Sequence, residues 1–525
     1  MNIVVLGAGT AGWIAALMTH QVLGPSATIT VIGSTDVPIV GVGEGTTPQF
    51  VTHFLDAVGI PVGRLVREAG CTLKTTVRFS GWAGPGSLYH HPFGDRVTPE
   101  IQLGLFPPRP DRAHMVETSF LARNAEDARA PFTPLRPYEA RADGDVLQNS
   151  IHHGGFAVHF DAHQLAALLR RIAAERGIRF IDSRVAGVVP RQDGGVEALQ
   201  LASGEVVRTS LLFDASGFSR LVLGKHYRAP FRDLSQTLRT NRVIPFDAPL
   251  TGPVRPVTDA FAMDAGWCWR IPTQTRYGQG YVYDRELISD DHARAEIRTR
   301  FPDAGDLSRA FDFTPGYFER IWEHNVVAVG LASHFFEPIE ATSIWITVLT
   351  MREFLDRFLP HGDARARADF HAWWSLLLER VVDYLYVHYL TPRRDTAFWA
   401  TFRQRTTPPP GVRALLGKTG LRWHDGAPPA LAGHPLPFPT ASWGYLADGL
   451  GLWDEAALGR DWRFRGLAEG YPARLAAIRE RVERYNASTI THEALITQLG
   501  GRWEIRGPTP DPEGLVNPDW RTRRA

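Results

Sequence analysis

The chain has 525 residues, 44% apolar and 22% charged, which excludes a mainly disordered, collagenous or fibrous protein. At roughly 150 residues per domain it holds about three or four units or two large lobes. A formal charge of +1 gives no electrostatic case for nucleic acid or an anionic membrane as a partner. Cys71 and Cys268 are the only cysteines, too few for a disulfide framework or a Cys-rich zinc site, and they fit a reducing, cytoplasmic compartment.

Met1–Leu17 is apolar but has no basic stretch and contains Gly7, Gly9 and Gly12, so it reads as a strand and a turn and not as a signal peptide. No uncharged apolar run reaches the roughly 18 residues of a membrane span. Asn2–Leu6 is a short apolar strand ending in Gly7-Ala8-Gly9-Thr10-Ala11-Gly12, followed by a helical pattern over Trp13–Leu23 and a second apolar strand, Ala27–Ile32. Strand, glycine-rich turn, helix and strand open a dinucleotide-binding unit. The glycines let backbone N–H groups approach a pyrophosphate at a helix N-terminus. Gly33 stands where an acidic residue would hold the ribose, with Asp36 nearby. Next, Thr47 as N-cap and Pro48 as first helical residue predict a helix to about Val58, closed by Gly59.

Asp161–Glu175 is an amphipathic helix with Leu165, Leu168, Leu169 and Ile172 on one face. Strands are predicted at Ile178–Ile181 and Val185–Val189, then a hairpin turn at Gln192-Asp193-Gly194-Gly195. Another strand, Ser210–Phe213, runs into Asp214-Ala215-Ser216-Gly217, and further strands are expected at Thr240–Ile244, Gly266–Ile271 and Val326–Leu331. This order, with a late strand reaching Gly330, favours FAD over NAD. Beyond Ile344 the character becomes helical: 364–389 is rich in aromatics, 407–411 and 428–439 are Pro-rich connectors, and Leu467–Tyr485 is a further helix. The predicted architecture is therefore α/β. Residues 1–348 form an FAD-binding core with interleaved strands of a substrate region. Residues 349–505 form a mainly helical cover, and 506–525 a flexible tail with Pro508, Pro510, Pro512 and Pro518.

Three segments outside the Gly-rich turn carry chemistry. Lys74, Lys225 and Lys418 are the only lysines among 57 basic residues, so a lysine here is a marked choice. Within 71–82, Leu73, Val77 and Phe79 alternate with Lys74, Thr76 and Arg78. A lysine offers a titratable, nucleophilic nitrogen that arginine cannot, although a solvated strand lysine fits the pattern equally well. In Gly266-Trp267-Cys268-Trp269-Arg270-Ile271-Pro272, period two puts Trp267, Trp269 and Ile271 on one face as an apolar wall; by periodicity alone a buried core strand is the commoner outcome. Glu340, in Glu337-Pro338-Ile339-Glu340-Ala341-Thr342-Ser343, lies between apolar neighbours. It is expected to have a raised pKa suited to a general base, or else to be a helix N-terminal Glu. No His-Glu-x-x-His or Cys/His spacing occurs, so no catalytic metal is expected.

The Gly7–Trp13 turn together with Trp-x-Trp-x-Ile-Pro resembles the flavin-dependent halogenases, the tryptophan halogenase family. The resemblance extends to Gly41-Val42-Gly43-Glu44-Gly45-Thr46-Thr47-Pro48, Tyr89–Gly94, His159–Ala162, Asp214–Phe218, Glu337–Ser343 and His388–Asp395. It implies an FADH2-dependent halogenase. A separate flavin reductase supplies the cofactor, chloride or bromide is the co-substrate, and hypohalous acid halogenates an electron-rich, indole-like ring. By the same resemblance Lys74 hydrogen-bonds the hypohalous acid or forms a haloamine, and Glu340 is the catalytic glutamate. Gly7, Gly9, Thr10, Ala11, Gly12, Gly43, Glu44, Asp214 and Gly330 hold FAD. Thr342 and Ser343 bind halide through backbone N–H groups. His91, Phe93 and Trp443 line the substrate pocket, and Trp267, Trp269, Ile271 and Pro272 separate it from the flavin. Many tryptophan-specific members carry Ser-Thr-Gly in place of Ala341-Thr342-Ser343, so the expected ring is indole-like and not specifically free tryptophan. Desolvation of the anion favours bromide in a site without strong donors. The resemblance leaves a homodimer open. The alternatives are an FAD-dependent aromatic hydroxylase on the same fold, and a non-catalytic carrier.

Overall fold

The computed structural model describes residues 1–37, 45–94, 118–132, 155–416, 438–464 and 466–507. The expectations for Gly43, Glu44, the Pro-rich stretch up to 437 and the tail from 508 lie outside them. Residues 506 and 507 are tied down: Arg506 N–H donates to Leu250 and Gly252 N–H to Gly507.

Asn2–Leu6 is buried at four of its five positions and lies in the middle of a six-stranded sheet. Parallel strands covered on both faces require such continuous apolar runs. Leu211–Asp214 flanks it on one side, then Val326–Ala328 and the antiparallel edge Trp322–Glu323. Thr28–Gly33 and Arg179–Asp182 flank it on the other. Helix Thr10–Leu23 packs between helices Ala162–Glu175 and Thr342–Glu353. Asp161 caps the second of these, accepting from the N–H groups of His163 and Gln164 at 2.9 and 3.0 Å.

The helix expected after Thr47 is present, with a π-helical turn over Phe50–Leu55. Gly59 closes it with φ +66, which glycine adopts without strain. The expected cap is corrected: the Thr47 hydroxyl is buried without a protein partner among the described residues, and the Thr47 carbonyl receives Phe50 N–H instead.

A second sheet has seven strands in the order Phe311–Asp312, Arg242–Pro249, Arg276–Tyr283, Gly266–Pro272, Val257–Met263, Thr76–Ser80 and Leu88–Pro92. Four of them, Phe311–Asp312, Arg276–Tyr283, Val257–Met263 and Leu88–Pro92, were not among the sequence expectations. The alternating stretch read within 71–82 falls on two strands, not one. Thr72–Lys74 pairs with Ala157–His159, then Thr75 donates to the Pro256 carbonyl at 2.8 Å and Thr76–Ser80 joins the large sheet. Every residue of both strands is buried, so neither presents a solvent face. Asp259 sits opposite both Arg78 and Arg270 and accepts from each, which seats this junction in a paired, buried charge cluster.

From Thr342 onward the described chain is mainly helical, including the 24-residue helix Ala364–Val387 and helices Ala397–Arg405, Thr440–Leu450 and Tyr471–Ser488. The last of these starts later than the Leu467 expected. No helix among the described residues is long and apolar enough to cross a membrane.

Candidate active site

One cavity of about 990 Å³ runs between the two sheets. Gly7, Ala8, Gly9, Thr10 and Ala11 line one part of it, with Gly330 and the Ala215–Gly217 turn. The glycines differ in their reasons. A Cβ on Gly7, at φ +120, would meet the Ala215 carbonyl oxygen at 2.1 Å, and one on Gly12 would meet Gly7 O at 1.9 Å. These two glycines build the turn. A Cβ on Gly9 would meet nothing within 4 Å, so Gly9 faces open space at the N-terminus of a 14-residue helix with no side-chain cap. Orphan N–H groups at such an end suit a phosphate. Arg170, Arg171, Arg184, Ser34 and Thr35 line the same region. The cradle fits a dinucleotide such as FAD.

Three cofactor expectations change. Gly12 packs within the turn and does not line the cavity. Asp214 is wholly buried and does not line it either: its carboxylate accepts from the N–H groups of Ser216, Val222 and Leu223 at 3.0–3.1 Å. It shapes the turn that carries Ala215–Gly217. Asp36 points outward, 3.9 Å from Arg184, and Thr35 holds Asp182 at the end of the neighbouring strand. Gly33 is fixed by packing, because a Cβ there would lie 2.5 Å from that of Ala8.

The wall follows the predicted period. Trp267, Trp269 and Ile271 all face the cavity, whereas Pro272 does not and gives its carbonyl to the Thr72 hydroxyl at 2.7 Å. Trp269 lies across Gly280 on the paired strand, where a Cβ would sit 2.1 Å from the indole. That close approach makes room for the wall.

Lys74 also lines this cavity, 1% exposed, at the end of its short strand. Its Nζ donates to the Thr46 carbonyl at 3.2 Å and lies 5.1 Å from the Phe93 ring centroid. Burial lowers its pKa to about 8, although Glu340 opposes that shift. At that value about a tenth of the amine is neutral at pH 7, far more than for an ordinary lysine, and that fraction is nucleophilic.

Glu340 is 5% exposed and sits at φ +61, followed by Ala341 at φ +54. Two successive left-handed non-glycine residues are costly, at about 1–3 kcal/mol each, and cluster at functional sites. Here they turn the chain so that Glu340, Ala341, Thr342 and Ser343 all line the cavity at the start of helix Thr342–Glu353. The Glu340 Oε1 accepts from His91 Nδ1 at 2.7 Å and faces His388 Nε2 at 3.3 Å. The raised pKa expected from its apolar neighbours is overturned. Burial does push the carboxyl up, but His91 and His388 outweigh it and hold the group well below the ordinary carboxylate range.

His91 is thus committed on both sides, since its Nε2 meets the Ser442 hydroxyl at 2.8 Å. His91, Phe93 and Trp443 do not line the cavity. They gather beside it around Tyr384, which stacks on Phe438 at 3.7 Å and meets Trp443 edge-on at 5.1 Å. Sequence reading assigned no role to His388, Ser442, Tyr384 or Glu337. Tyr384 in the last turn of helix Ala364–Val387 and His388 at its C-cap stand four apart, the one available signal that they share a face.

The fold and the cavity define a flavin-type α/β enzyme with a lysine and a glutamate lining one cavity. The tryptophan halogenase family model matches residues 2–443, and the chain belongs to that family. It is 32% identical over 421 residues to tryptophan 7-halogenase RebH of Lentzea aerocolonigenes, spanning 76% of this chain and 78% of that one. Xcc4156, a flavin-dependent halogenase from Xanthomonas campestris, superposes with TM-score 0.76 at 26% identity over 97% of this chain and 99% of its own. BrvH, a flavin-dependent halogenase from Brevundimonas sp. BAL3, does so with TM-score 0.75 at 28% identity over 95% and 99%.

Proposed function

We propose that this protein uses FADH2, dioxygen and chloride or bromide to halogenate an electron-rich, indole-like ring. The observation that carries this reading is that the Gly-rich cradle, the Trp wall, Lys74 and Glu340 border one continuous cavity. When bound, reduced FAD supplies the electrons that let dioxygen oxidise halide to hypohalous acid.

The protein's own groups have distinct tasks. The Gly9–Ala11 helix start and Gly330 hold the dinucleotide. Thr342 and Ser343 offer an uncapped helix start to the halide. Trp267, Trp269 and Ile271 exclude a ring-sized substrate from the flavin while leaving a path for small species. Lys74 receives the oxidant as a hydrogen bond or a haloamine. Glu340, kept ionised by its histidines, orients the electrophile or takes the ring proton. The apolar cluster of Phe93, Tyr384, Phe438 and Trp443 supports an aromatic substrate. A separate reductase is its electron source. Family membership gives no support to the hydroxylase alternative.

The test is a panel of indoles, phenols and tryptophan turned over with FAD, a flavin reductase and each halide, read by isotope pattern. A monohalogenated indole is the expected product. A product heavier by one oxygen, without halogen, would replace this reading with hydroxylation.

A further inference from the structure

Gly45 borders the cavity beside Lys74. Its φ lies outside the left-handed region, so the turn of the chain does not call for glycine. The backbone there is pinned. Gly45 bridges His159, Thr46 N–H donates to the Val158 carbonyl at 3.2 Å, and Val158 N–H donates to the Thr46 hydroxyl at 2.9 Å.

What Gly45 leaves is space. Beyond its chain neighbours, the nearest atoms to a Cβ built on it would be Ala341 Cβ at 3.6 Å, Ile271 Cδ1 at 3.8 Å and Lys74 Nζ at 3.8 Å. These are ordinary van der Waals separations, so the point is an unfilled seat about one methyl group in size. Its sides are the Trp wall, the left-handed turn after Glu340, and the amine, and all four residues line the cavity. An ammonium has three donors, and the Thr46 carbonyl takes one of them.

A chlorine or bromine atom is close to a methyl group in size, and a tightly packed seat discriminates between such neighbours. We propose that Gly45 sets which halogen Lys74 can carry: the halogen of the oxidant rests over the Gly45 Cα, between Ile271 and Ala341, and the missing side chain admits bromine as well as chlorine. This rests on the halogenase reading above. Two sides of the seat are apolar carbon, which suits the larger, more weakly hydrated halogen.

The experiment turns over indole with equal concentrations of chloride and bromide. It reads the ratio of bromoindole to chloroindole by mass spectrometry for the wild type, Gly45→Ala and the double variant Gly45→Ala, Ile271→Val. FAD affinity is measured separately by fluorescence titration. The alanine methyl enters the seat without a clash, so Gly45→Ala binds FAD as the wild type does. Its bromo-to-chloro ratio is expected to fall about tenfold, the effect of one methyl group in a closed apolar pocket. Ile271→Val removes the Cδ1 that bounds the seat, so the double variant recovers most of the ratio.

An unchanged ratio in Gly45→Ala would overturn the proposal, whether both products persist or both are lost. So would a fallen ratio that Ile271→Val leaves unrecovered, since the seat would then not lie against Ile271. Loss of FAD binding in Gly45→Ala would overturn it too, by showing that a methyl group has no room there. A wild type that binds no FAD, or that yields oxygenated indole without halogen, would instead overturn the halogenase reading.

Discussion

Lys74→Met is expected to be more stable than the wild type at pH 7 and to lose most of its aryl halide product. The wild type buries an amine whose pKa falls from 10.5 to about 8, so below pH 8 a charged group opposes folding. At about 1.4 kcal/mol per pKa unit that opposition is about 3 kcal/mol. Methionine keeps the length and removes the charge, while the lost bond to the Thr46 carbonyl offsets about 1 kcal/mol. The sign follows from linkage. A lysine with a depressed folded pKa destabilises below that value, and the penalty fades as pH rises from about 8 past 10.5. Tm of the variant should therefore exceed that of the wild type at pH 7, the gap closing in alkali. Flavin binding and peroxide formation should persist, with aryl halide reduced at least about 100-fold. Full halogenation by this variant would remove Lys74 from the account.

Glu340→Gln has the second large effect. Gln keeps size and an acceptor for His91 but cannot hold charge or take a proton, so halogenation should fall about 10²- to 10⁴-fold with FAD affinity intact. Its acid behaviour should change too. A carboxyl depressed in the folded state contributes stability above its unfolded value, and that contribution is lost as pH falls through the folded value. Thermal melts across acid pH should show a shallower loss in the variant than in the wild type. Identical acid profiles would contradict an ionised, histidine-held Glu340.

What could be read in the sequence is what backbone geometry and short periods encode. Gly7 and Gly9 stand in a turn whose spacing is set locally, and Trp267, Trp269 and Ile271 share a face because strands alternate. Lys74 stood out because the chain otherwise writes arginine. The rest depends on distant chain segments meeting. The alternating stretch within 71–82 breaks because Thr75 finds Pro256, 181 positions on, which no alternation reveals. Glu340 looked like a carboxyl among apolar neighbours, and its pKa reversed because His91 and His388 arrive from elsewhere. Asp214 carried a motif match but spends its oxygens on local N–H groups. Glu337 accepts from Tyr389, Thr240 and Trp267 only once these converge, and the space over Gly45 forms only where Ile271, Ala341 and Lys74 meet.

The central claim is that oxidant reaches Lys74 through the protein and not through solvent. Lys225, exposed on the surface, is an internal control for oxidant that escapes. The measurement is isotope-resolved peptide mass spectrometry after turnover with FADH2, oxygen and chloride but no aromatic substrate, digested without reductant. The account predicts one chlorine on the Lys74 peptide and none on the Lys225 peptide. Chlorine on Lys225 with Lys74 unmarked would contradict it.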